Sequence, residues 1–393
     1  MREWLESKSG RISKHILLFI VTCVTATLAG SEWTNGKFLF SGSFTIDDFA
    51  EGIPYAVVFL GFLTVHEFGH YFAALWHGVR TTLPYYIPFY IPFIPFSLGT
   101  LGAVIRLRQR PRSATQYFDI GLAGPLAGFI AALFVLIYGF VFLPPLDYLF
   151  GIHPEYARFG AEYADYVYRA PFVDGEAMNI AIGKNLLFIL LEKFADPALL
   201  PHPNELMHYP LLFAGFLALT VTGINLLPIG QLDGGHILYG LVGHKNHKII
   251  ASAIFISFMF YAGLGYVSPF DKLTHLLYKI PLMIGFYYLA LSRTGFSTIT
   301  KIATAATVFA VQFLLAKLFP TVEGYSGWLL FVLLIGRFLG IEHPPSEIEE
   351  PLTPWRKVLG WLALVIFIIC FSPKPITIIV GEEDKVPSLT AAR

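Results

Sequence analysis

The sequence predicts an all-α, polytopic membrane protein with about nine transmembrane helices and one short extended, β-like, proline-rich segment. Three observations predict this. First, 55% of the 393 residues are hydrophobic, 16% aromatic and only 14% charged, and the mean hydropathy is +0.63. A soluble domain does not have this composition. Second, nine apolar segments are long enough, or nearly so, to cross a hydrocarbon core about 30 Å thick. Third, charges gather between those segments, and basic loops alternate with acidic ones. Lys+Arg and Asp+Glu balance at 27 each, so no charge excess points to nucleic acid or to an acidic partner.

The nine segments lie near 15–31, 54–76, 117–143, 209–227, 248–267, 276–292, 302–319, 326–341 and 357–372. The opening stretch MREWLESKSGRISKH is basic and runs into Ile16–Leu28. With Ala26, Ala29 and Gly30 as small residues it has a signal-peptide pattern, but a retained first span is the preferred reading for a chain embedded throughout. No Ser/Arg-rich, acid-poor transit peptide opens the chain, which weighs against an organelle import address. Cys23 and Cys370 both lie in apolar segments and form neither a disulfide framework nor a cysteine-type zinc site. The chain divides into an N-terminal span and loop (1–53), a membrane core (54–247) and C-terminal spans and tail (248–393).

Arg2, Lys8, Arg11 and Lys14 precede the first segment. Arg106, Arg108, Arg110 and Arg112 separate the second from the third, and Lys245 and Lys248 follow the fourth. The intervening loops carry Asp47, Asp48 and Glu51, then Asp147, Glu155, Glu162, Asp165, Asp174 and Glu176. By the positive-inside rule the N-terminus and the Arg-rich loop are cytoplasmic, in what reads as a prokaryotic cytoplasmic membrane. The second segment therefore runs from outside to inside. Within it stands Gly61–His70, GFLTVHEFGH, a His-Glu-x-x-His pattern. Residues i and i+4 share a helix face, so His66 and His70 can point at one metal ion. Glu67 lies about 100° round the helix, within reach of a water at that ion. A solvated helix can carry this pattern by chance. Here Val57, Val58, Phe59, Leu60, Phe62, Leu63, Val65, Phe68, Phe72 and Leu75 surround it, and ionisable groups in such a run mark function. At 1.5 Å per residue the two imidazoles lie about 18 and 24 Å along the segment, toward the cytoplasmic side.

Leu83–Gly99, LPYYIPFYIPFIPFSLG, carries Pro84, Pro88, Pro92 and Pro95. Four prolines at that spacing exclude a helix and a central strand. An extended or looped segment at membrane depth survives only when buried in protein or lining a water-filled cavity. Leu98–Leu107 then reads as a short edge strand; a plain connector is the competing reading. In the third segment Asp119 can cap the helix start. Gly124 and Gly128 have the small-xxx-small spacing of close helix packing, with no chemistry assigned. The fourth segment ends NLLPIGQLDGGH, broken by Pro228 and Gly230. Hydrocarbon is a poor place for Asp233 unless it faces a cation, and it supplies the carboxylate that completes two histidines and a water around zinc. Asn225 suits either a donor to an oxyanion or an interhelical hydrogen bond. His236 reads as interfacial, and His244 and His247 as solvated. Parity places a tenth apolar run, Ile180–Leu191, outside the set of crossings. If it spanned, Asp233 and His70 would face opposite sides of the bilayer.

HEFGHY at 66–71, AGPLAG at 123–128 and NLLPIGQLDGGH at 225–236 together resemble the site-2 protease family of intramembrane zinc metalloproteases, peptidase family M50. SLGTLGAVIRL, HYPLLFAGF and NLLPIGQLDGG resemble most the EGY-like branch and its bacterial relatives. The resemblance covers roughly Pro54 to Gly243. It implies His66, His70 and Asp233 as zinc ligands and Glu67 as general base. It also implies substrates that are membrane-anchored proteins, such as an anti-sigma factor or a tethered regulator. Gln231-Leu232 precede Asp233, where many members have Asn-Pro. The loop at 144–208 is short for the PDZ domain inserted in many bacterial members. The competing classes are a membrane metal transporter, against which stands the lack of a second ligand set in the other segments, and an inactive helix-binding scaffold, which would not need Glu67.

Overall fold

The computed structural model describes residues 8–92, 97–168 and 179–379. The chain opens with helix α1 (Lys8–Asn35), short α2 (Ile46–Glu51) and α3 (Ile53–Trp76). Thr45 and Asp48 form a capping box at the start of α2, and Pro54 starts α3, where a missing N–H costs nothing. Hairpin β1 (Tyr85–Pro88) and β2 (Thr100–Val104) leads to α4 (Ala114–Val141). Short α5 (Asp147–Ile152), α6 (Tyr163–Val167), β3 (Asn179–Ile182) and α7 (Leu186–Glu192) follow. Helices α8 (Pro210–Asn225), α9 (Asp233–Gly263), α10 (Leu273–Ala290), α11 (Thr298–Leu318), α12 (Trp328–Leu339) and α13 (Pro354–Cys370), then β4 (Ile376–Ile379), complete the described chain.

All nine apolar segments read from the sequence are helical. Among the described residues, four helices are long and apolar enough to cross a membrane: Gly10–Asn35, Ile46–Trp76, Ala114–Val141 and Thr298–Leu318. Pro210–Asn225 and Trp328–Leu339 are apolar but shorter. Helix α8 stops because Pro228 and Gly230 follow, and its 16 residues reach about 24 Å. Two hydrophobic cores organise the bundle. One gathers α1, α3, α4 and α8, and the other α9 to α12. Helix α13 returns to the first core through Ala363, Ile366 and Cys370.

The strands depart from the sequence reading in two places. Leu98–Leu107 does not stand alone: β2 pairs antiparallel with β1, Tyr86 opposite Ala103, with the register broken between Tyr86 and Pro88. The proline-rich segment thus supplies the partner strand, and Pro88 sits where pairing is irregular; Pro95 lies outside the described residues. The hairpin is fastened to α1 and α3. Thr25 donates to the Gly99 carbonyl (2.6 Å), Trp33 to Ser97 (3.0 Å) and Tyr55 to Leu98 (3.1 Å). Gly99 has φ +81°, and a Cβ there would lie 2.3 Å from Ala26 Cα. The run Ile180–Leu191 is β3, paired with β4, followed by seven-residue α7. That helix covers about 10 Å, far short of a bilayer.

Candidate active site

The site lies where α3, α4 and the start of α9 meet. Helices α3 and α4 approach closely because small residues face each other: a Cβ on Gly69 would lie 2.5 Å from the Ala123 carbonyl oxygen. Gly124 and Gly128 leave room for the imidazoles. Cβ atoms there would lie 2.1 Å from His70 Nε2 and 3.1 Å from His66 Nδ1. The sequence reading assigned AGPLAG to packing alone; its glycines in fact face the His-Glu-x-x-His histidines. Asp119 does not cap α4. Ser113 does, accepting from Gln116 N. Asp119 sits a turn and a half inside the helix, paired with Arg356 Nε and Nη2 at 2.8 Å each and with His77 Nε2 at 2.8 Å.

His70 Nδ1 lies 2.7 Å from the Ile120 carbonyl. A carbonyl only accepts, so Nδ1 carries the hydrogen and Nε2 presents its lone pair to the site. Asp233 is the first residue of α9. The turn before it is held by Ile229 N to Leu227 O and Leu232 N to Ile229 O, with Gly230 at φ +59°. A Cβ on Gly234 would fall 2.0 Å from the Leu226 carbonyl, so only glycine lets α9 start against that turn. The result is convergence. His66 Nε2 and His70 Nε2 are 3.1 Å apart, and Asp233 Oδ2 is 3.5 and 3.3 Å from them. Ligands 2.0–2.1 Å from a tetrahedral ion stand about 3.3 Å from one another, so this donor set fits one. His66, Glu67 and His70 are 2%, 7% and 7% exposed, and their ligating atoms all lie within 4.8 Å of one another.

Glu67 Oε2 accepts the Ile105 backbone N–H at 2.9 Å, which ties the carboxylate to the residue after β2. Asn225, the last residue of α8, has Nδ2 3.4 Å from His66 Nε2. All five site residues named from the sequence therefore meet. The Ile120 carbonyl, the Ile105 amide and Gly124 were missed. Only the i, i+4 spacing of Gly124 and Gly128 carried a signal. His236 turns away from the site, its Nδ1 2.8 Å from His343 Nε2. The solvated reading of His247 is overturned: it is 0% exposed. Helix α9 continues through the polar run GHKNHK after a kink at its first residue, Gly243 (φ +75°), and His247 packs beside Tyr239 and His343. His244 is half-buried.

Fold and site define a class: a helical membrane protein whose His-Glu-x-x-His helix is met by a carboxylate from a later helix. Residues 54–266 match the model of Peptidase family M50, and the chain belongs to that family. It is an integral membrane protein. It is 28% identical over 202 residues to a rice protein (Oryza sativa subsp. indica) named "Probable zinc metalloprotease EGY2, chloroplastic", covering 51% of this chain and 31% of the relative. It is 29% identical over 194 residues to "Probable zinc metalloprotease EGY1, chloroplastic" of Arabidopsis thaliana, covering 49% and 30%. It is 27% identical over 238 residues to "Probable zinc metallopeptidase EGY3, chloroplastic" of the same plant, covering 59% and 37%. The chain thus matches about a third of the length of these relatives. No solved structure matches it.

Proposed function

We propose that this protein is an intramembrane zinc metalloprotease that hydrolyses peptide bonds within transmembrane segments of membrane-anchored proteins. The observation that carries the proposal is the convergence of His66, His70 and Asp233 within 3.1–3.5 Å beside the buried carboxylate of Glu67. In this reading those three residues hold zinc. Held there, zinc would supply a Lewis acid for the scissile carbonyl and would lower the pKa of a water toward ~7. Glu67 takes the proton of the attacking water and returns it to the leaving amine. Its bond from Ile105 N–H holds the carboxylate in one orientation. Asn225 donates to the developing oxyanion, a role supported by its distance to His66. Ile120, through its carbonyl, keeps His70 in the ligating tautomer.

The substrates we propose are membrane-tethered regulators, of which an anti-sigma factor is one kind. A substrate helix must unwind before its carbonyls can be attacked, and hairpin β1–β2 offers a strand for it to pair with. The proposed arrangement has nine crossings, a catalytic core at 54–247 between flanking parts 1–53 and 248–393, and the site toward the cytoplasmic side of a prokaryotic membrane. It is supported by the basic loop Arg106–Arg112 at the site's end of α3 and α4. The names of the relatives place those proteins in chloroplasts. The test is Glu67→Gln, assayed for bound zinc and for cleavage of a transmembrane substrate in cells. Zinc content should stay at the wild-type level, and cleavage should fall by about 10²–10⁴-fold. Unchanged cleavage overturns the assignment.

A further inference from the structure

A second group of ligating side chains lies at the opposite end of the bundle, in the loop between α4 and α8 rather than in any apolar segment. His153 follows α5, and Glu205 and His208 precede α8. His153 Nε2 and His208 Nε2 are 3.2 Å apart. Glu205 Oε2 is 3.3 Å from His208 Nε2 and 3.7 Å from His153 Nε2. These separations match the about 3.3 Å edge of a tetrahedral site, as those around Asp233 do.

With both imidazoles neutral, the tautomers leave no hydrogen among the three atoms. His208 Nδ1 donates to the Thr34 carbonyl at 2.5 Å, and His153 Nδ1 faces Glu155 Oε1 at 3.1 Å. A carbonyl and a carboxylate accept, so both Nδ1 atoms carry the hydrogen and both neutral Nε2 atoms present lone pairs. Glu205 is 1% exposed, and its Oε2 is buried without a hydrogen-bond partner among the described residues. Its other oxygen accepts from the Tyr168 hydroxyl. Three acceptors facing one another with no donor between them repel unless a cation sits at their centre. Each is also oriented from behind, His208 by Thr34, His153 by Glu155 and Glu205 by Tyr168, as ligands of a metal are.

We propose that His153, Glu205 and His208 bind a divalent metal ion of the zinc type, distinct from the one at His66, His70 and Asp233. Two imidazoles and one carboxylate select zinc over calcium or magnesium, which take oxygen ligands. The ion joins two parts of the chain, and the bond from His208 to Thr34 ties in a third. His208 lies two residues before α8, His153 lies in the loop after α4, and Thr34, bonded to His208, ends α1. Helix α8 carries Asn225 at its other end, so the clip anchors at the far side the helix that leads to Asp233. The His153 side chain is 28% exposed, which gives an ion its way in.

Metal content of the purified full-length protein, loaded with Zn²⁺ and freed of excess, tests this without reference to protease activity. Wild type should hold about two zinc per chain. His66→Ala/His70→Ala should keep about one, and adding Glu205→Gln or His153→Ala should remove it. Because Glu205 is buried, the His153→Ala variant, checked for a monodisperse elution profile, guards against misfolding. In the His66→Ala/His70→Ala background, Co²⁺ should give a visible d–d band that disappears in the triple variant with His153→Ala. Tyr168→Phe should weaken binding at this site by about 10–100-fold. A His66→Ala/His70→Ala protein that binds no zinc or cobalt overturns the proposal, as does binding that His153→Ala and Glu205→Gln leave undiminished.

Discussion

A Cβ atom on Gly124 would lie 2.1 Å from Nε2 of His70. The atom displaced is the one that faces Asp233, so the ring cannot yield without leaving the site. Gly124→Ala should therefore lower zinc affinity by about 10-fold or more, although the helix itself gains intrinsic propensity. Zinc titration in competition with a chelator measures this, and wild-type affinity would show that the ring has another place to go. The same scale explains which residues could be read in advance. His66, Glu67, His70 and Asp233 are ionisable groups in apolar surroundings, and that contrast is visible in a string of letters. The Ile120 carbonyl and the Ile105 amide belong to every residue type, so no side-chain pattern marks them. Asp119 misled for a related reason. Its type suits a helix cap, but its charge is used by Arg356 and His77.

At the scale of elements, α8 sets the sidedness. His208, two residues before its start, bonds Thr34 at the end of α1, and Asn225 at its end reaches His66, just past the middle of α3. Helices α3 and α8 therefore run the same way, as the parity argument requires. The apolar run Ile180–Leu191 between α4 and α8 consists of four-residue β3 and seven-residue α7, too short to cross. Phe188 of α7 packs against Phe140 near the C-terminal end of α4, with ring centroids 5.1 Å apart. The other end of α4 holds Ile120 against His70. Single cysteines at Ala198 and Gln109, both exposed positions, test this in a protein freed of Cys23 and Cys370. An impermeant thiol reagent should label Ala198→Cys from outside intact cells and Gln109→Cys only after lysis. Labelling of both from one face would leave the topology and the site at odds.

Across the whole molecule, the ion pair between Asp119 and Arg356 joins positions 237 residues apart. It ties α13 to α4, and α13 also packs Ala363, Ile366 and Cys370 into the first core. The last helix therefore supports the helices that carry the site, although a reading along the chain placed it with the C-terminal part. Arg356→Ala leaves Asp119 partly buried with His77 alone, at a cost of about 1–3 kcal/mol. The thermal midpoint of the detergent-solubilised protein should fall, whereas His77→Ala, which keeps the two-pronged guanidinium contact, should lower it less. Equal midpoints for Arg356→Ala and wild type would show that apolar packing alone holds α13.

The sequence by itself determined the helical membrane class, the histidine pair on one helix face and the carboxylate that meets it. Hydropathy, the i, i+4 spacing and the cost of a charge in hydrocarbon are local properties. Tertiary structure alone decided how the prolines of Leu83–Gly99 are used, since pairing β1 with β2 depends on Ala103 lying opposite Tyr86. It alone decided the burial of His247, which follows from a kink at Gly243 and from His343 packing over it. It alone brought His153 to Glu205 and His208, 52 and 55 residues later in the chain. No spacing rule spans such a separation: the lone pairs meet because α1 and α4 end, and α8 begins, at the same side of the bundle.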